Sequence, residues 1–377
     1  MGKIVYNYRA LATNKYAILF LLYFVHLKFF IQIVLDIESA PLDITLYVLL
    51  LLGINYKRVK RSFLVLIPIM GISLLNPAAR NIFVILLCTY ITAQLPIRTI
   101  LYHNILAQII VFSLSTICLS LGITESVMFQ QTALDMRVRY DYGMGNPNTF
   151  AMFVYSFIIN LYLYKGIFYK RYLFIIALIG WSVFSYTGSR TFFVSVLVLL
   201  LFSCLRNLWS SQPRFSKLLL IIVPILIGVA VFYFSLNYTL YPEVNLLFTG
   251  RLDLYNRLLS SVSYSDYIFG TGRINEETID SSYLHLIFEG GVIPLLLFMI
   301  LYINLVYKAN RKELAAILPL FASVFVFGLT ESVLTFVLVF GNMIIWILLY
   351  KTYITRHIRV NKRVNKHINK GVALGYA

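Results

Sequence analysis

Long apolar blocks separated by short polar segments dominate this chain. A helix that crosses a bilayer needs roughly 20 apolar residues at about 1.5 Å rise each. By that rule spans are expected near 16–35, 42–55, 63–76, 81–97, 100–121, 149–168, 172–187, 191–208, 218–238, 283–307, 314–330 and 332–350, the second and seventh being short. Two connections, 122–148 and 239–282, are too long to be mere linkers, and connections of that length are usually functional or disordered. No repeat, low-complexity segment or soluble domain interrupts the pattern. Residues 1–377 therefore read as one polytopic domain ending in a basic tail, 351–377. The expected fold class is an all-α membrane protein with about twelve transmembrane helices.

Composition agrees with a lipid environment: 60% of residues are hydrophobic and 12% charged, against about half and a quarter in soluble chains. The first apolar run is long enough to span and lacks a small-residue cleavage site, so no cleavable signal peptide is expected. Cys88, Cys118 and Cys204 lie inside apolar runs and read as small core residues. The formal charge of +17 raises nucleic acid as a partner, but a topological cause excludes that reading. With the N-terminus inside and loops alternating, twenty-four of the 32 basic residues fall on the cytoplasmic side. Seven fall outside, namely Arg80, Arg137, Arg139, Arg190, Arg251, Arg257 and Arg273, and Lys28 lies within the first span. Shifting the register by one helix destroys this positive-inside pattern. Both termini are thus expected in the cytoplasm. The tail, with basic residues from Arg356 to Lys370, is suited to anionic lipid headgroups.

Every external basic residue is an arginine, although lysine and arginine are both common inside. Guanidinium offers a planar, permanently charged fork matched to phosphate or carboxylate oxygens. The outer face is accordingly expected to handle an anionic, phosphorylated ligand. In the first long loop Arg139 precedes Gly143, Gly145, Asn146, Pro147 and Asn148, a fixed turn in which Asn148 suits a helix N-cap. The turn Thr187-Gly188-Ser189-Arg190 opens the eighth helix, whose free N–H groups and positive dipole end favour an anion. The second loop carries Gly250-Arg251, a stripe of Arg251, Tyr255 and Leu258 at helical spacing, then Arg257 and Phe269-Gly270-Thr271-Gly272-Arg273. It re-enters the membrane through Asp280-Ser281-Ser282-Tyr283-Leu284-His285, followed by Glu289-Gly290-Gly291.

In joint order these motifs resemble the O-antigen polymerase and ligase superfamily, from about Arg137 to Ile293. The resemblance implies a multi-spanning, GT-C-like glycosyltransferase that uses undecaprenyl-diphosphate-linked glycans, with no metal, cofactor or nucleotide sugar. The family's loop arginines carry over to Arg190 and Arg251, then to Arg139 and Arg257. The family's ligases place a His eleven residues before the re-entry glycine; counting back from Gly291 puts Asp280 and Ser281 at that motif, and Pro294 replaces the expected small or Tyr residue. The general base is therefore open: Asp280, His285 one turn deeper, or none.

The implied activity is polymerisation of lipid-linked repeat units into capsular, exo- or O-antigen-type polysaccharide at the outer face of a bacterial cytoplasmic membrane. Catalytic candidates are Arg190, Arg251, Asp280 and His285. Substrate-binding candidates are Arg139, Asn146, Asn148, Arg257, Arg273, Tyr255, Tyr283 and Glu289. Expected partners are the glycan donor and acceptor, membrane lipids and a chain-length regulator. A ligase of the same superfamily, or a flippase or other transporter, is the alternative. Transporters keep charged or broken helices at the midplane and show repeated halves, whereas here the charges gather in two loops. Of the remaining suspects, Asp36 and Glu38 read as solvated acids, His26 and Lys28 as intramembrane candidates, and Glu331 as an interface residue.

Overall fold

The computed structural model describes residues 8–38, 40–54, 66–75, 79–130, 138–167, 169–271, 279–335 and 343–351. Arg137, Arg273, the run Lys57–Arg61 and the tail beyond Lys351 lie outside them. The described chain is all-α apart from one small hairpin. It begins with α1 (Tyr8–Phe29), prolonged by a π-helical turn (Phe30–Val34), then α2 (Ala40–Gly53), α3 (Leu66–Leu75), α4 (Ala79–Thr92) and α5 (Ile97–Ser120). Strands β1 (Met128–Gln130) and β2 (Val138–Tyr140) pair antiparallel, with Phe129 opposite Arg139. Next come α6 (Pro147–Leu161), α7 (Lys170–Thr187), α8 (Arg190–Cys204), α9 (Arg206–Ser211) and α10 (Pro213–Leu236). The chain continues through α11 (Pro242–Leu247), α12 (Arg251–Ser261), α13 (Tyr264–Phe269), α14 (Ser282–Gly290), α15 (Val292–Lys308) and α16 (Arg311–Phe327).

Among the described residues three helices are long and apolar enough to cross a membrane: Lys15–Val34, Ile97–Ser120 and Pro213–Leu236. Ala40–Gly53, Ala79–Thr92, Arg190–Cys204, Val292–Lys308 and Glu313–Phe327 are apolar but shorter. Helix α16 is the hub, packing on α8, α9 and α10, while α1 packs on α2 and α5. A buried polar relay ties the hub: the Tyr155 and Ser323 hydroxyls lie 2.7 Å apart, and Ser323 donates to the Ser195 carbonyl at 2.7 Å. Pro224 inside α10 has no N–H for the carbonyl four residues back. The Tyr302 hydroxyl donates to that carbonyl, Leu220 O, at 2.7 Å, so the buried acceptor is satisfied.

Three expected spans differ in detail. The segment 191–208 divides into α8 and α9. The segment 332–350 starts in a turn that includes Ser332–Thr335, and its described helical residues are 344–351. The segment 283–307 is broken at Gly291, whose φ of +81° and ψ of −173° end one helix and start another. A Cβ on Gly291 would lie 2.0 Å from Ile268 O, and one on Gly270 would lie 2.7 Å from Glu289 O. The Thr271 N–H donates to Phe288 O at 2.6 Å across the same contact. Gly270, at φ +82°, thus serves a backbone-on-backbone approach.

The described part of 239–282 holds several short helices where one surface helix was expected. Leu252, Tyr255 and Leu258 of α12 form a second core with Val231 of α10 and Leu284 and Phe288 of α14. That core holds one end of α12 against the helix break.

Candidate functional site

Arg251 is the first residue of α12, after Gly250 at φ +81°. Its guanidinium meets three acceptors that are remote in sequence. It donates to the Thr330 carbonyl, lies 3.1 Å from Asp280 Oδ2, and lies 3.3 and 3.4 Å from Glu331 Oε1 through its two terminal nitrogens. Burial works against the Arg251 charge, but Glu331 and Asp280 outweigh it and hold the pKa above the ordinary arginine value. Burial raises the Asp280 pKa, with Arg251 and His285 pulling the other way. Burial pushes Glu331 up to about 7 against the pull of Arg251, and Asp280 adds to the rise.

The turn that bears Glu331 is tied down on several sides. Ser282 donates to Glu331 O at 2.7 Å, and the Ser282 N–H donates to Gly328 O at 2.9 Å. Thr330 Oγ1 donates to Thr191 Oγ1 at 2.8 Å, joining the turn to the start of α8 beside Arg190. Arg190 is exposed at the first position of that helix, where unsatisfied N–H groups and the dipole suit an anion.

Arg139 reaches the same neighbourhood from β2. Its Nε donates to Thr187 O at 2.5 Å and its Nη2 to Asn148 Oδ1 at 2.6 Å. It also acts electrostatically on Glu331. Gly143 and Gly145 adopt φ of +71° and +72°, as the turn required. The N-cap of α6 is Asn146, whose side chain accepts from the Asn148 N–H at 2.8 Å with Pro147 at the first helical position. Asn148 is therefore an arginine partner instead of the cap.

Other expected site residues separate from this cluster. His285 is buried on α14 with Nδ1 3.3 Å from Glu289 Oε2, and Asn81 donates to Glu289 Oε1. Both side chains are thus engaged with each other, though His285 still lowers the Asp280 pKa. Arg257 lies on the exposed side of α12, away from the stripe of Arg251, Tyr255 and Leu258. Tyr283 donates to Phe325 O at 3.2 Å and lines an apolar cavity of about 450 Å³ with Pro224, Gly228, Phe232 and Phe298. Ser282, which holds the Glu331 carbonyl, lies on the wall of that cavity. Lys28 pairs with Asp43, which accounts for a cation in an apolar helix.

Sequence reading missed the role of Glu331 and of Thr191, Thr187 and Thr330. A signal existed for the first: Glu331 is the lone charged residue between Leu314 and Tyr350, and a solitary charge in an apolar run wants a partner. No family model, curated protein or solved structure matches this chain.

Proposed function

We propose that this chain is a polytopic glycosyltransferase of about twelve transmembrane helices, GT-C-like, with both termini in the cytoplasm of a bacterium. On this reading it polymerises undecaprenyl-diphosphate-linked oligosaccharide repeat units at the outer face of the cytoplasmic membrane. The supporting observation is convergence. Residues from Thr-Gly-Ser-Arg, Gly-Asn-Pro-Asn, Gly-Arg and Asp-Ser-Ser-Tyr are joined by hydrogen bonds, ion pairs or electrostatic contact around the turn at Thr330 and Glu331, beside an apolar cavity. Arginines suit a lipid diphosphate, and an apolar cavity next to them suits the first isoprene units. The large apolar residues exposed on α10, among them Leu226 and Val229, support a lipid-facing position for that helix.

In the reaction a hydroxyl of one lipid-linked unit attacks the anomeric carbon of a second lipid-linked chain. A glycosidic C–O bond forms, the bond from the anomeric carbon to the diphosphate oxygen breaks, and undecaprenyl diphosphate leaves with the electron pair. Negative charge grows on the diphosphate in the transition state, so preorganised arginines stabilise that state more than the ground state. Removing one such donor costs on the order of 100- to 1,000-fold in rate.

The test is glycan analysis in the host strain after deletion of the gene and return of variants. Deletion should leave single repeat units on the surface lipid, and Arg190→Ala should not restore long polymer although the protein reaches the membrane fraction. Full-length polymer with Arg190→Ala would overturn the assignment. Units trapped inside the cell would indicate a flippase instead, and finished polymer left on undecaprenyl diphosphate a ligase.

A further inference from the structure

The cluster at Arg251 has more negative than positive groups. One guanidinium serves two carboxylates, so with both ionised the trio carries an excess negative charge. The two acids are not equivalent. The side chain of Asp280 is 28% exposed and that of Glu331 only 4%. Burial without full compensation disfavours charge, so Glu331 is the acid of the pair that takes up and releases a proton near neutrality. Every described contact of the Glu331 carboxylate runs through Oε1. The groups that face it are Arg251 and Tyr255 of α12, Asp280 ahead of α14 and Arg139 of β2, while His285 of α14 acts on Asp280.

Two further observations mark this place as a polar binding site. Ser281 Oγ is buried and has no hydrogen-bond partner among the described residues, and the Tyr255 hydroxyl, equally buried, has only the Ser281 backbone beside it. A buried hydroxyl without a partner is costly. Tyr255 is one turn after Arg251, and Ser281 follows Asp280, so both belong to the segments that carry the charged trio. A ligand rich in hydroxyl groups would satisfy them.

We propose that Glu331 accepts the proton of the attacking sugar hydroxyl while Arg251 passes from the two carboxylates to the leaving diphosphate. This inference rests on the glycosyl-transfer reading above. The O–H proton moves to the Glu331 carboxylate, the hydroxyl oxygen bonds to the anomeric carbon, and the diphosphate departs with the electrons of the broken C–O bond. The proton is then returned to water as Glu331 re-engages Arg251. The exchange of partners sets the timing. When Arg251 turns to the diphosphate, Glu331 loses its counter-charge and becomes a stronger base at the moment a proton must be taken. A carboxyl poised near neutrality is suited to that role. Asp280, at the more exposed edge, steers Arg251.

The experiment uses full-length protein in detergent or vesicles, with purified lipid-linked repeat units, and follows polymerisation from pH 5 to 9. Wild-type rate should rise about tenfold per pH unit below roughly pH 7 and then level, as a single ionising base requires. Glu331→Gln should lose about 100- to 10,000-fold in rate and lose the rising limb, while binding of labelled lipid-linked donor persists. Glu331→Asp should retain a displaced limb, and Asp280→Asn should retain the limb at reduced rate. A Glu331→Gln protein with the wild-type limb would overturn the proposal, since a mere counter-ion would leave the profile in place. Loss of the limb in Asp280→Asn but not in Glu331→Gln would overturn it as well. Thermal melting checks that Glu331→Gln is folded; if it is not, the position of the limb in Glu331→Asp decides, and an unmoved limb counts against the proposal. Wild-type protein that forms no glycosidic bond would instead defeat the underlying functional reading.

Discussion

Arg139 and Arg251 lie near the same turn, yet their partners are of opposite kinds. Arg139 is held by neutral oxygens, the Thr187 carbonyl and the Asn148 side chain. Arg251 is held by two carboxylates and a carbonyl. The first is fixed chiefly by neutral oxygens and acts on the carboxylates through its field on Glu331. The second already faces two acids and must exchange partners before it can serve an anion. Two arginines that looked alike as candidate anion ligands thus differ in the kind of partner that fixes them.

The largest way to break this contrast is Arg251→Ala, which leaves two carboxylates beside each other without a cation. Losing one partner of a buried ionic group costs about 3–5 kcal/mol, so the thermal midpoint in detergent should fall sharply. Adding Asp280→Asn and Glu331→Gln to the same protein should recover much of the loss. Recovery distinguishes unpaired charge from lost packing.

A second test uses pH. The Glu331 pKa is raised in the folded protein from 4.5 to about 7. The folded state then keeps a proton that the unfolded chain has released. The stabilisation is full below pH 4.5 and is lost as pH rises through about 7. At about 1.4 kcal/mol per unit this amounts to about 3 kcal/mol, and Asp280 shifts in the same direction. Melting midpoints should therefore drop between pH 5 and 8, and Glu331→Gln should flatten much of that slope.

The smallest effect is expected from Arg139→Ala, which removes two hydrogen bonds to uncharged oxygens. About 1–3 kcal/mol is typical for bonds that involve a charged donor. The melting midpoint should fall less than for Arg251→Ala.

The helical stripe of Arg251, Tyr255 and Leu258 was readable because burial on one side of a helix imposes spacing that sequence displays directly. The turn at Gly143 and Gly145 was readable for a similar local reason, since positive φ favours glycine. Choosing Asn148 over Asn146 as the cap neglected Pro147, whose fixed φ marks the first helical position and so points to the residue before it. The break at Gly291 was signalled only by Glu289-Gly290-Gly291 within an otherwise apolar run, and its cause is the backbone at Ile268, more than twenty residues away in sequence. Pairing of Arg251 with Glu331 spans eighty residues, and no local pattern encodes a contact of that range. Pattern gave the elements that bury one face; partners brought in by packing lay beyond it.

The close approach of the backbone at 268–271 to that at 288–291, permitted by Gly270 and Gly291, has a mechanical consequence. Where backbone lies directly on backbone, no side chain can change rotamer to absorb a displacement. Movement of the segment around Gly270 is therefore passed to the start of α15 almost rigidly. That helix has seventeen residues, a rod of about 25 Å at 1.5 Å per residue. Rotation by a few degrees at the glycine joint swings its far end, near Lys308, by an ångström or more. The loop that carries Arg251 and the opposite end of α15 are in this sense two ends of one lever, with the paired glycines as its bearing.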